Sequence, residues 1–183
     1  LYAANILNDY GINNYCLLEA RDRIGGRLLT KQDPKIGWVD LGGSYVGPSQ
    51  HYIQKLIKKL DIKTYKIDVK GKSVYLNQKR RYLHNGNELP SLSNKLIEIE
   101  IRHVLKLMDE MSKQLPRDEP WKHPQAIEWD RQTLGQFLQQ HCWSQEAKDF
   151  ISIYIGCCTS CESYEQSLLW SLWYIQQCDG LDM

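Results

Sequence analysis

Glu19, Arg21, Arg27 and the glycine pairs Gly25-Gly26 and Gly42-Gly43 are the residues whose types and spacing could do chemistry. The first stretch runs Leu17-Leu18-Glu19-Ala20-Arg21-Asp22-Arg23-Ile24-Gly25-Gly26-Arg27. A short apolar run ends in a carboxylate, and a charged turn leads to two glycines and an arginine. In a doubly wound sheet, an acidic residue closing a strand accepts hydrogen bonds from the ribose hydroxyls of a dinucleotide. Paired glycines let backbone approach a ligand where a Cβ would collide. An arginine just beyond them grips a pyrophosphate with a forked, charge-assisted contact. The run reads as the adenosine and pyrophosphate end of a dinucleotide site, and equally as a strand followed by a charged turn.

A second glycine pair closes a second apolar run in Asp40-Leu41-Gly42-Gly43-Ser44-Tyr45-Val46-Gly47-Pro48. Together the two stretches resemble the signature of the flavin-containing amine oxidases. Pro120-Trp121-Lys122, Glu128-Trp129-Asp130, Cys142-Trp143 and Leu169-Trp170-Ser171-Leu172-Trp173-Tyr174 resemble the monoamine oxidases among them. The resemblance covers nearly the whole chain, which corresponds to an amino-terminal section of a family member.

That resemblance implies an α/β FAD-binding portion (Rossmann-like, glutathione-reductase-type) and an α+β, mainly helical, substrate-domain portion, both incomplete. The front of the nucleotide unit, with its G-x-G-x-x-G turn, is expected before Leu1. Glu19, Ala20, Arg21, Gly26, Arg27, Gly42, Gly43, Ser44 and Tyr45 would bind FAD, whose covalent attachment is expected through a cysteine outside this chain. Tyr45, Tyr154, Cys157 and Cys158 would line the substrate pocket. Tyr45 also suits plain core packing. Cys142 resembles a family cysteine associated with activity, acting through packing rather than nucleophilic attack. The implied reaction takes a primary or secondary monoamine, dioxygen and water to an aldehyde, ammonia or amine, and hydrogen peroxide. The resemblance also implies the cytosolic face of the outer mitochondrial membrane, through a carboxyl-terminal anchor, and leaves homodimerisation open. Residues 87–91 depart from the family's proline-rich and aromatic entrance loop, keeping only Pro90, which leaves amine preference open. A polyamine or amino-acid oxidase and a non-catalytic, partner-binding piece remain as rival readings.

Composition narrows the rest. With 183 residues and a net charge of +1, nothing favours nucleic acid or an acidic membrane surface. No apolar run is long enough to span a membrane, and the first thirty or so residues carry no signal-peptide pattern. The 6 cysteines fit neither a zinc ribbon nor a secreted disulfide framework. No metal site is expected, because Cys157 and Cys158 point about 100° apart on a helix. Arg23 is expected in a structural salt bridge.

The elements that must position these residues read as follows. Residues 1–10 end a helix stopped by Gly11. Residues 15–18 read as a buried parallel strand, residues 28–31 and 38–41 as short extended segments, and residues 48–60 as a helix. Residues 64–69, 73–76 and 80–83 read as strands separated by turns at 70–72 and 77–79, with another turn at 84–87. A long helix follows over 91–115, with Leu92, Leu96, Ile99, Val104, Met108, Met111 and Leu115 as its buried stripe. Trp121 and Trp129 are expected to pin the loop 117–129. Thr133, Ser144 and Ser163 are expected to cap three further helices. A domain boundary is expected after Lys66, giving a partial FAD-binding domain over 1–66 and a partial substrate-binding domain over 67–183.

Overall fold

The computed structural model describes residues 1–68, 70–77, 80–85, 89–92 and 94–181. The chain divides into two compact units, Leu1–Lys66 and Ile67–Met183.

In the first unit, α1 (Tyr2–Asp9) is followed by Gly11, whose φ of +73° is adopted most readily by a residue without a Cβ. A hairpin follows, β1 (Thr30–Asp33) against β2 (Gly37–Asp40), with Thr30 opposite Asp40. Then comes α2 (His51–Lys59), whose Lys59 ammonium binds the Asp9 carboxylate at 2.7 Å and ties the ends of the two helices together.

Residues 15–18 form no strand: Leu17 is 58% and Leu18 92% exposed. A strand exists only where a neighbour takes its N–H and C=O groups, and among the described residues none pairs its backbone with this stretch. The described sheets are two separate antiparallel hairpins, so the expected doubly wound, Rossmann-like sheet is not formed.

The second unit opens with the hairpin β3 (Lys72–Asn77) and β4 (Arg80–Asn85), in register with Tyr75 opposite Tyr82. Residues 64–68 are not a strand. Asn77 belongs to β3 and His84 and Asn85 to β4, against the turns expected there, while Val69, Gln78, Lys79, Gly86, Asn87 and Glu88, on which the expected strand end, the rest of those two turns and part of the entrance loop fall, lie outside the described residues.

Helix α3 (Lys95–Ser112) is capped by Asn94, whose side chain accepts the Leu96 N–H. Its buried face is Ile101, Val104, Leu105 and Met108, with Ile97 and Met111 packed alongside. Leu96 and Ile99 are 60% and 59% exposed, against expectation. At 100° per residue they point about 140° and 160° away from Ile101, so one helix cannot bury both sets.

The segment after Pro116 contains a short 3-10 turn at Pro120–Lys122 and α4 (Ala126–Arg131). Trp129 is buried and stacks on His123 at 4.6 Å, whereas Trp121 is 65% exposed, against expectation. Helix α5 (Leu134–His141) starts in a full capping box of Thr133 and Gln136. Helix α6 (Gln145–Thr159) is capped by Ser144 and stops at Ser160, which takes a left-handed conformation. Helix α7 (Leu168–Gln177) is capped by Ser167, not Ser163. Ser163 stands five residues before the helix, in a turn over 163–165, and its carbonyl accepts the Gly135 N–H at 2.7 Å. Helix α3 packs on α6 and α7, and α4 on α7, around one apolar core.

Tyr75 is a polar exception within that core. Its ring lies edge-on to Phe150 at 5.2 Å, and its buried hydroxyl has no hydrogen-bond partner among the described residues. Burial first, then the Asp149 and Glu146 carboxylates, push its pKa up to about 12 from 10.0. The folded state therefore holds this proton where the unfolded chain releases it. Its contribution is complete below pH 10 and is lost as pH climbs through about 12, on the order of 2 kcal/mol in all. Tyr75→Phe should remove that alkaline loss and raise stability at neutral pH by about 1 kcal/mol, since an unpaired buried hydroxyl is deleted. Urea unfolding at pH 7 and at high pH reads both effects.

Candidate functional site

The first group of candidate residues surrounds the turn between residues 19 and 29. Glu19 accepts the Arg21 N–H at 3.0 Å, which starts the turn. Gly25 and Gly26 have φ of +105° and +57°, and a Cβ on Gly25 would lie 2.7 Å from the Leu28 carbonyl oxygen. Arg23 lies across this turn and donates to the Gly26 carbonyl at 2.9 Å and the Leu28 carbonyl at 3.1 Å. It is structural, but its partners are carbonyls and not the carboxylate that was expected.

The second glycine pair runs alongside. Leu41 N–H donates to Leu29 O at 2.7 Å and Gly43 N–H to Arg27 O at 3.4 Å, so the hairpin seam continues past β1 and β2. A Cβ on Gly42 would stand 2.1 Å from Arg27 O and 2.8 Å from Leu29 N. Arg27 and Gly42-Gly43 are thereby neighbours. The Arg21 and Arg27 guanidinium groups are exposed and make no hydrogen bond or ion pair among the described residues. Ala20, Ser44 and Tyr45 are exposed as well, Tyr45 by 79%.

The second group belongs to the other unit. Tyr154 is half-buried on α6, its ring stacked on Phe150 at 6.2 Å. Cys157 and Cys158 are exposed in the last turn of α6. Tyr174 of α7 donates its hydroxyl to the Cys158 carbonyl at 3.1 Å and stacks, tilted, on Trp170 at 5.4 Å. Sequence reasoning passed over Tyr174, because its spacing from Trp170 signals only a helical neighbour and the contact to residue 158 is not local. Burial raises the Tyr174 pKa, with the Cys178 and Cys158 thiols adding to it.

Cys142 lies 4% exposed at the end of α5. Burial, reinforced by Glu100, pushes its thiol up to about 11. Such a thiol stays protonated at neutral pH and is a poor nucleophile. Among the described residues, no cluster of three or more His, Cys, Asp or Glu side chains gathers as metal ligands.

The description "Flavin containing amine oxidoreductase" matches residues 1–183. The chain belongs to that family. It is 39% identical over 178 residues to amine oxidase [flavin-containing] B of Homo sapiens, covering 97% of this chain and 34% of that one. It is 40% identical over 180 residues to amine oxidase [flavin-containing] A of Sus scrofa, covering 98% and 34%. Among solved structures, wild-type putrescine oxidase bound to putrescine superposes with a TM-score of 0.82 at 29% identity, covering 93% of this chain and 37% of that one. Cyclohexylamine oxidase from Brevibacterium oxydans gives 0.79 at 27% identity, covering 88% and 36%. This flavin amine oxidoreductase chain thus spans about a third of the length of the curated relatives it matches.

Proposed function

We propose that this chain is part of an FAD-dependent amine oxidase that deaminates monoamines with dioxygen, yielding aldehyde, ammonia or amine, and hydrogen peroxide. The carrying observation is the seam where Gly42 lies against Arg27, in a unit that also exposes the Arg21 and Arg27 guanidinium groups with no hydrogen bond or ion pair among the described residues. The residues present fit a dinucleotide: backbone without Cβ at the seam, cations for a pyrophosphate, and the Glu19 carboxylate for ribose hydroxyls. Bound FAD would supply the two-electron acceptor. The chain's own residues would hold and orient it: Glu19, Arg21, Gly26 and Arg27 at the adenosine and phosphate end, Gly42, Gly43, Ser44 and Tyr45 along the rest. Within the second unit, Tyr154, Cys157, Cys158 and Tyr174 would contribute a wall of the amine pocket. Cys142 would act through packing. Covalent attachment through a cysteine elsewhere and an outer mitochondrial membrane location rest on the resemblance alone.

The likeness to putrescine-bound putrescine oxidase supports a second reading, a diamine or polyamine substrate. Purified complete protein should absorb at about 450 nm, as flavins do, and release peroxide with benzylamine-type monoamines faster than with putrescine. The opposite preference would select the second reading, and no flavin at all would end both. Residues 1–183 alone should neither retain flavin nor oxidise amines, since Leu18, Leu28, Trp38, Leu41 and Tyr45 stand bare.

A further inference from the structure

Glu100 lies in the middle of α3 with none of its surface exposed, facing the start of α6. Its Oε1 accepts the Trp143 N–H at 2.6 Å and the Ser144 N–H at 3.0 Å, and its Oε2 accepts the Ser144 hydroxyl at 2.6 Å. Ser144 Oγ accepts the Ala147 N–H at 3.1 Å in turn. Among the described residues no cation pairs with this carboxylate. A buried charge persists without a cation only where hydrogen bonds and a favourable dipole replace water. The amide groups at a helix start supply both.

Helix α6 does not need that acid in order to form. Thr133 and Ser167 cap α5 and α7 from their own side chains, with no buried carboxylate behind them among the described residues. What the acid adds is a fixed joint between α3 and the start of α6, made by residues 43 and 44 apart in the chain. Beyond that joint α6 continues as a rod. At 1.5 Å per residue Cys158 stands about 21 Å from Ser144, so a tilt of roughly 5° there displaces it by about 2 Å. Shifts of an ångström matter in a binding cavity.

We propose that Glu100 is a positioning residue: its buried carboxylate fixes where α6 begins against α3, and so where Tyr154, Cys157 and Cys158 stand. The proposal rests on the reading of α6 as a wall of the amine pocket, and the test separates the two. In the complete protein, Glu100→Gln keeps shape and removes charge. It should raise the amine KM roughly tenfold while kcat stays within about twofold. Ser144→Ala should have a smaller effect, and the double variant should be no worse than Glu100→Gln, because both act at one joint. Hydrogen exchange, which needs no activity, should show Glu100→Gln losing protection at 143–147 and also at 154–158, with α5 unchanged. A variant that melts earlier but keeps KM and the exchange of 154–158 would overturn the proposal. If the wild-type protein oxidises no amine, the functional reading fails, and exchange alone decides the role of Glu100.

Discussion

Replacing Gly42 by alanine should open the seam between residues 27–29 and 41–43 and cost about 3 kcal/mol or more. The new Cβ would sit 2.1 Å from Arg27 O, 2.8 Å from Leu29 N and 3.0 Å from Leu28 Cα. All three are backbone atoms, so no side chain can swing aside and the strands themselves must part. Parting them breaks the Leu41–Leu29 and Gly43–Arg27 hydrogen bonds and moves Arg27 away from the glycine pair. Gly43→Ala is the control, because its Cβ would meet only the Leu28 Cδ2 methyl at 3.2 Å, the flexible end of an exposed side chain. In the complete protein, Gly42→Ala should lose flavin absorbance and melt early, while Gly43→Ala costs less than about 1 kcal/mol. Equal behaviour of the two variants would remove the seam from the argument.

What could be read from the sequence was local. Thr133 and Ser144 cap their helices because a hydroxyl needs only the amides two or three residues ahead, and that pattern is written in the sequence itself. The β3–β4 hairpin is local in the same sense. Failures came where a distant partner decides. Residues 15–18 have the composition of a strand, but composition supplies no neighbour for their backbone groups. Leu96 and Ile99 have the right spacing for one face of α3, yet Ile101, Val104, Leu105 and Met108 form a more continuous face, and a helix turns only one of them inward. Ser163 offered a plausible cap, but residues 163–165 form a turn, α7 begins only at Leu168, and Ser167 meets its first amides.

The candidate site divides along the same line. The glycines and charged residues of the first unit follow one another closely enough to be read as a motif. Their juxtaposition at Gly42 and Arg27 follows from a hairpin whose turn lies only a few residues away. Glu100 and Tyr174 were invisible by contrast. A glutamate in a long helix looks like surface, and a tyrosine in an aromatic helix looks like core. Only the approach of α6 to each, across 44 and 16 residues, gives them work.

Leu172→Ala should destabilise the second unit by about 3–4 kcal/mol, near the upper end of what a buried leucine costs. Leu172 is 0% exposed on α7, which packs against both α3 and α4. The cost of such a deletion depends on whether the surroundings can close over the gap. Here α7 is held along its far half: the Trp173 indole N–H donates to Arg117 O at 2.9 Å, Gln177 Nε2 to the same carbonyl at 3.1 Å, and Gln176 Nε2 to Leu115 O at 2.5 Å. Sliding α7 inward to fill the space would strain all three bonds, so the cavity stays open. Leu96→Ala, which removes the same side chain from a 60% exposed position, should stay within about 0.5 kcal/mol of wild type. Urea titrations of the two variants separate the explanations. If Trp173→Phe, which deletes the indole donor, lessens the cost of Leu172→Ala in a double-mutant cycle, the helix was indeed held in place by its polar contacts. Strict additivity would mean that packing alone keeps the cavity open.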